Sequence, residues 1–143
     1  MKIARSFTFD AAHQLDHHDG KCRRMHGHGY RLELVFSGLP RLPKPDEPQS
    51  GFLVDFGILD RLVRTELIQP KLDHFVLNES LPDLPYHSAE YLAAWIMGWC
   101  MRHLDGRAEL GTTRILSVCL WESDHSWAQA SREDAIELGF VVS

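Results

Sequence analysis

Three histidines stand where their side chains can share one metal ion. His26 and His28 are separated by Gly27, and histidines two apart on a strand project to the same side, where both imidazoles can reach a common ion. His13 ends an earlier alternating stretch. If the two stretches pair antiparallel, it faces the start of the second and three imidazoles converge without a helix. Three neutral nitrogen ligands and an open position describe a catalytic zinc site, whereas a structural site is closed by a fourth ligand. Ligand type leaves iron or another divalent ion open, and strand-end histidines also occur as plain polar surface.

Other groups in the sequence could do chemistry beside such an ion. Cys22 lies a few residues before His26, between Lys21 and Arg23. Nearby cations and a metal raise the thiolate fraction of a cysteine, and a thiolate can act as base or nucleophile. A fourth zinc ligand or an inert loop thiol are the alternatives. Asp73-His74 pairs a carboxylate with an imidazole that it could orient for proton transfer, although many adjacent Asp-His pairs are incidental. Glu122 ends the apolar alternation Leu116, Val118, Leu120 on the inward face. A carboxylate there is costly unless paired, and a ligand with an amidine-like N–H pair would suit it. His17 and His18 in DHHDG read as solvated loop, His103 and His125 as surface or helix-end residues, and Cys100 and Cys119 as core fillers.

The segments that must position these groups follow from periodicity and punctuation. Residues 2 to 13 alternate as a strand, with Ile3, Arg5, Phe7, Phe9, Ala11 and His13 on one face. The polar stretch QLDHHDGKCRRM is a loop. A second strand runs from His26 to Ser37, with His26, His28, Tyr30, Leu32, Leu34 and Phe36 on a common side. Residues 38 to 51 hold four prolines and two glycines and form a connecting loop. Asp55 can cap a helix whose Leu59, Leu62, Val63 and Leu67 recur at helical spacing until Pro70 stops it. Ser88 can cap another, with Glu90 in its first turn and Leu92, Trp95, Ile96, Trp99 and His103 along one stripe, ending near Gly106. Two more strands, about Thr113 to Glu122 and Ala135 to Val142, complete the order strand, strand, helix, helix, strand, strand. An α+β arrangement is expected, a four-stranded antiparallel sheet with two helices on one face. Four strands leave two open edges, so a closed oligomer is expected too.

Composition sets the outer limits. The 143 residues are 44% hydrophobic and 10% aromatic, enough for one domain with a core across 1–143. A net charge of −5 disfavours a general nucleic-acid binder. No run reaches the roughly 18 apolar residues of a membrane span, and no apolar signal segment opens the chain. Three widely spaced cysteines do not suggest a disulfide framework. Cytoplasm is the expected compartment.

Taken in order, FTFDAAH, CRRMHGH, LVDFG, LDHFVLN, SAEYLAAWI and the final WE resemble the 6-pyruvoyltetrahydropterin synthase family, and the three residues between the cysteine and HGH resemble its short bacterial branch, the 6-carboxytetrahydropterin synthases of queuosine biosynthesis. The resemblance implies a tunnelling fold in which trimers close a twelve-stranded barrel and stack as a homohexamer. It implies zinc on His13, His26 and His28, proton transfer by Cys22, and a relay by Asp73 and His74. Glu122 would hold the pterin ring at its 2-amino and N3 positions, with Ser88 to Glu90 along the same pocket across a subunit boundary. The implied reaction converts 7,8-dihydroneopterin triphosphate to 6-carboxy-5,6,7,8-tetrahydropterin, acetaldehyde and triphosphate, without a redox cofactor. Triphosphate elimination without C–C cleavage, or a non-catalytic zinc and pterin module, are the rivals. Lys21, Arg23 and Arg24 could meet the triphosphate. The proline-rich loop at 38–51 and the segment after Glu122 depart from the family pattern.

Overall fold

Strict alternation of apolar and polar residues builds two long strands, β1 (Lys2–His13) and β2 (His26–Ser37), in a computed structural model that describes residues 1–142. They pair antiparallel without interruption from Lys2↔Ser37 to His13↔His26. The order continues with helix α1 (Phe56–Val63), a short helix α2 (Leu77–Ser80), helix α3 (Ala89–His103), strands β3 (Arg114–Ser123) and β4 (Ser126–Ser131), and helix α4 (Arg132–Glu137). The sheet is a meander, β1-β2-β3-β4. The expected α+β sheet with helices on one face is therefore present.

One face of the sheet makes the core. Phe7 and Phe9 of β1, Tyr30, Leu32, Leu34 and Phe36 of β2, and Val118 and Leu120 of β3 are buried in one cluster with Leu59 and Leu62 of α1 and Leu92, Ile96 and Met97 of α3. Burying such side chains contributes about 1.5–3 kcal/mol each, which fixes strand register, since a one-residue slip would turn every one of them to water. The opposite face carries exposed Thr8, Asp10 and Arg31, with the Arg31 guanidinium 4.4 Å from the centre of the Trp121 ring.

Four expectations need correction. Pro70 does not stop the first helix. From Arg64 to Leu72 the chain stays helical but winds in wider turns with Pro70 inside, and Asp73 N–H donates to the Ile68 carbonyl five residues back at 2.8 Å. A wider turn spares the chain the clash that proline makes with the carbonyl four residues earlier. The fourth strand is not Ala135 to Val142 but Ser126–Ser131, joined to β3 across Asp124 and His125. Residues 132–137 are helical because Ser131 caps them, its side chain accepting from Asp134 N–H while the Asp134 carboxylate accepts from Ser131 N–H, a reciprocal cap that outweighs the apolar alternation. Leu116 is the extra residue where Val35↔Ser117 is followed by Phe36↔Ile115, so Ile115 rather than Leu116 is buried there. Cys119 lies on the half-exposed face, opposite Glu33 and Gln129, whereas Cys100 is buried as expected.

Candidate active site

Strand register brings the three histidines together. His13 pairs with His26 and Ala11 with His28, so the imidazoles leave the same face at the last rungs of the β1–β2 ladder. His13 Nε2 lies 3.0 Å from His26 Nε2 and 3.1 Å from His28 Nε2. Tetrahedral zinc with Zn–N bonds of about 2.0–2.1 Å places its nitrogens about 3.3–3.4 Å apart. The cluster is within a few tenths of an ångström of that spacing.

The ring protons of His13 and His26 are fixed from outside. His13 Nδ1 is 2.6 Å from the His87 carbonyl and His26 Nδ1 is 2.7 Å from the Arg24 carbonyl. A carbonyl only accepts, so both Nδ1 atoms carry hydrogen and both Nε2 atoms present lone pairs to each other. Two facing lone pairs at 3.0 Å need a cation between them. A proton is a poor choice, because burial first, then the neighbouring imidazoles, holds the His13 pKa down at about 4 against the His87 hydrogen bond. Burial also lowers His28, partly offset by Glu122. Three converging Nε2 atoms, two of them on imidazoles backed by carbonyls, fit a divalent metal. Tyr30 closes the inner wall, its hydroxyl 3.4 Å from His13 Nδ1, and burial raises its pKa so that it stays protonated.

Glu122 and Cys22 stand at the same end of the sheet. Glu122, one residue before the end of β3, has a carboxylate oxygen 3.7 Å from His13 Nε2 and its side chain 26% exposed, so the charge expected on the inward face is beside the histidines. Cys22 occupies a single turn, Lys21–Arg23. The turn is tied to the chain just beyond β1 by Leu15 N–H donating to the Cys22 carbonyl at 3.0 Å. Cys22, Lys21, Arg24, His26 and His28 line one cavity of about 440 Å³. Thiol, cationic side chains and two of the histidines thus face a common space.

Asp73 and His74 are held elsewhere. The widened helix delivers them to the outer edge of β1, where Asp73 Oδ1 accepts from Asp10 N–H at 3.0 Å and Oδ2 lies 3.0 Å from His74 Nδ1. His74 has φ +63°, a conformation unusual for a residue with a Cβ. It is held by His74 N–H donating to the Asp10 carbonyl, and the next residue's carbonyl accepts from Ala12 N–H at 3.0 Å. The Asp10 N–H is the largest influence on the Asp73 pKa and lowers it; desolvation comes next and opposes it, and the His74 hydrogen bond and charge add smaller lowering effects. The pair opens on a cavity of about 630 Å³ over the helix-free face, with Arg31, Trp121 and Asp124. That cavity shares no lining residue with the one holding Cys22. A shallow groove over Gly27 and Gly29 has both His28 and His74 on its rim.

Ser88 Oγ caps α3 by accepting from Tyr91 N–H at 3.4 Å, and Glu90 is exposed. Among the described residues no hydrogen bond joins either of them to the histidines. His87, whose carbonyl accepts from His13, and Asn78, whose amide bonds Gln14 next to His13, are supporting residues that sequence reasoning missed. Their contribution depends on a backbone carbonyl and a side-chain amide at a strand end, neither of which leaves a spacing signal.

Comparisons with known proteins agree on one family. The family described as 6-pyruvoyl tetrahydropterin synthase matches residues 2–133. The 6-carboxy-5,6,7,8-tetrahydropterin synthase of Synechocystis sp. is 44% identical over 117 residues, 82% of this chain and 86% of that one. The Haemophilus influenzae protein of the same name is 40% identical over 85 residues, 56% of this chain and 55% of its own. The structure of Caenorhabditis elegans 6-pyruvoyl tetrahydropterin synthase superimposes with a TM-score of 0.69 at 20% identity, covering 92% of this chain and 94% of that one, so the fold is shared.

Proposed function

The chain belongs to the 6-pyruvoyl tetrahydropterin synthase family, and from that premise we propose that it is a zinc-dependent carbon–carbon lyase, the 6-carboxy-5,6,7,8-tetrahydropterin synthase of queuosine biosynthesis. It converts 7,8-dihydroneopterin triphosphate and water to 6-carboxy-5,6,7,8-tetrahydropterin, acetaldehyde and triphosphate. The convergence of three Nε2 atoms beside Cys22 carries this reading, together with the 44% identity to a protein of that name.

His13, His26 and His28 are the metal ligands. Bound there, zinc would supply Lewis acidity that lowers the pKa of the substrate's side-chain hydroxyls and adjacent C–H groups. Cys22 moves a proton at the side chain. Asp73 holds His74 through Nδ1, which leaves Nε2 free to exchange a second proton. Glu122 accepts from the ring's 2-amino and N3 groups in a charge-assisted pair, with Ser88 to Glu90 along the ring. Lys21, Arg23 and Arg24 meet the triphosphate. Because Cys22 and the Asp73-His74 pair open on separate cavities of one chain, the complete site forms between chains. Two edges without a strand partner among the described residues support this, the Lys2–Thr8 part of β1 and the whole of β4, which would pair between copies in a homohexamer of two trimers. No helix among the described residues is long and apolar enough to cross a membrane, and the proposed site of action is the cytoplasm.

The deciding experiment incubates zinc-loaded protein with 7,8-dihydroneopterin triphosphate and measures acetaldehyde. Stoichiometric acetaldehyde with the 6-carboxy product is expected. An intact pyruvoyl product without acetaldehyde would overturn the assignment in favour of 6-pyruvoyltetrahydropterin synthase chemistry.

A further inference from the structure

The hydrogen bonds around His13 extend past the carbonyl that fixes its proton. His87, the residue that supplies that carbonyl, is itself buried, and its ring is fastened at both nitrogens. Nε2 is 2.9 Å from the Leu81 carbonyl and therefore carries the hydrogen, which leaves Nδ1 to accept. Asn78 Nδ2 lies 3.4 Å from that Nδ1. The same amide grips the chain directly after His13, with Asn78 Oδ1 accepting from Gln14 N–H at 2.9 Å and Nδ2 donating to the Gln14 carbonyl at 2.9 Å. Because Gln14 N–H donates only to the oxygen and the Gln14 carbonyl accepts only from the nitrogen, the amide has a single orientation. In that orientation its Nδ2 faces the lone pair of His87. One half-buried side chain in the first turn of α2 thus ties together the backbone leaving His13 and the residue whose carbonyl sets the His13 tautomer.

We propose that Asn78 is a positioning residue for the metal centre, clamping Gln14 and His87 so that His13 is kept as the Nδ1–H tautomer with its Nε2 lone pair toward the ion. The metal side of this statement rests on the zinc reading above; the tautomer side does not. Without the amide, Gln14 N–H and carbonyl lose their partners and the His87 ring loses one of its two anchors. The His87 carbonyl is then free to drift from His13 Nδ1, and the Nε2–H tautomer, which cannot ligate through Nε2, becomes populated. Outer partners of this kind influence metal affinity by about 10- to 100-fold.

The test uses the full chain as wild type, Asn78→Ala, and Leu77→Val as a control that trims core packing in the same turn without touching the clamp. Imidazole nitrogen chemical shifts of the metal-free proteins report the His13 tautomer, and competition with a chromogenic chelator reports zinc affinity. Asn78→Ala should show a mixed His13 tautomer and zinc affinity lowered about 10- to 100-fold, while Leu77→Val keeps the wild-type tautomer and affinity. A His13 tautomer unchanged in Asn78→Ala, or an equal loss of affinity in Leu77→Val, would overturn the proposal. If the wild type binds no zinc, the metal reading fails on its own, and the shifts still decide whether the clamp exists.

Discussion

The histidine cluster and the Asp73-His74 pair are both built on β1, yet they are held by different kinds of structure. The cluster stands on the last rungs of an unbroken ladder, its inner member wholly buried and two of its ring protons set by carbonyls behind them. The pair stands on an exposed turn after a widened helix, fastened to the free edge of the same strand through Asp10 and Ala12. The cluster's geometry is therefore tied to the register of the core, and the pair's geometry to a local strap. Disturbing one should leave the other intact.

The largest effect that can test this separation is removal of a ligand. His13→Ala should lower zinc affinity by roughly a hundredfold or more, since a full structural ligand set supplies about 10–16 kcal/mol, and should abolish turnover. Isothermal competition for zinc checks it, and affinity within tenfold of wild type would detach the metal from the cluster. Cys22→Ala should keep the metal and lose turnover by about 10²- to 10⁴-fold. Metal analysis of the purified variant is decisive, because lost zinc would make Cys22 a ligand. Asp73→Asn should cut turnover by about 10²-fold, at the lower end of the range for proton transfer, with zinc affinity unchanged. An equal fall in zinc affinity would show that the two regions are coupled.

The smallest expected effect separates the regions by pH. In the metal-free protein His13 is depressed to about 4 from 6.5. The unfolded chain takes up its proton first, so the stability of the neutral buried ring is present above pH 6.5 and is lost as pH falls toward 4. Asp73 is depressed below its ordinary 3.8 by the Asp10 N–H and His74, so its contribution persists above 3.8 and goes only at lower pH. Denaturant titrations across pH should show a decline between 6.5 and 4, to which the lowered His28 and His103 also contribute, that His13→Ala reduces and Asp73→Asn leaves unchanged.

The same contrast explains what could be read from the chain. A period of two places His13, Tyr30, Leu32 and the HGH pair on one face, and the ladder honours it throughout. The antiparallel pairing assumed from spacing is the one observed. Alternation misled at Ala135 to Val142, where the S-x-x-D cap at Ser131 and Asp134 was the better signal. Pro70 misled because a proline rule written for α-helical turns does not cover a wider one. Asp73 and His74 were legible as a pair, but their location was not, since it depends on that widened turn and on hydrogen bonds to a strand edge. His87 and Asn78 act through a main-chain carbonyl and an amide, and main-chain groups are the same in every sequence.

The strap at residues 74–76 also sets a limit on growth. By occupying the Asp10 carbonyl and the Ala12 N–H beside the Asp10 N–H that Asp73 holds, and by bridging Ala12 to Val76, it acts as a mechanical stop on the exposed side of β1. A strand arriving from another molecule can run along Lys2 to Thr8 and no further. Where it halts is then decided by an obstacle rather than by side-chain preference, and an added strand cannot slide to longer pairings. An edge that could have nucleated an open-ended stack of strands is shortened to a socket of fixed length.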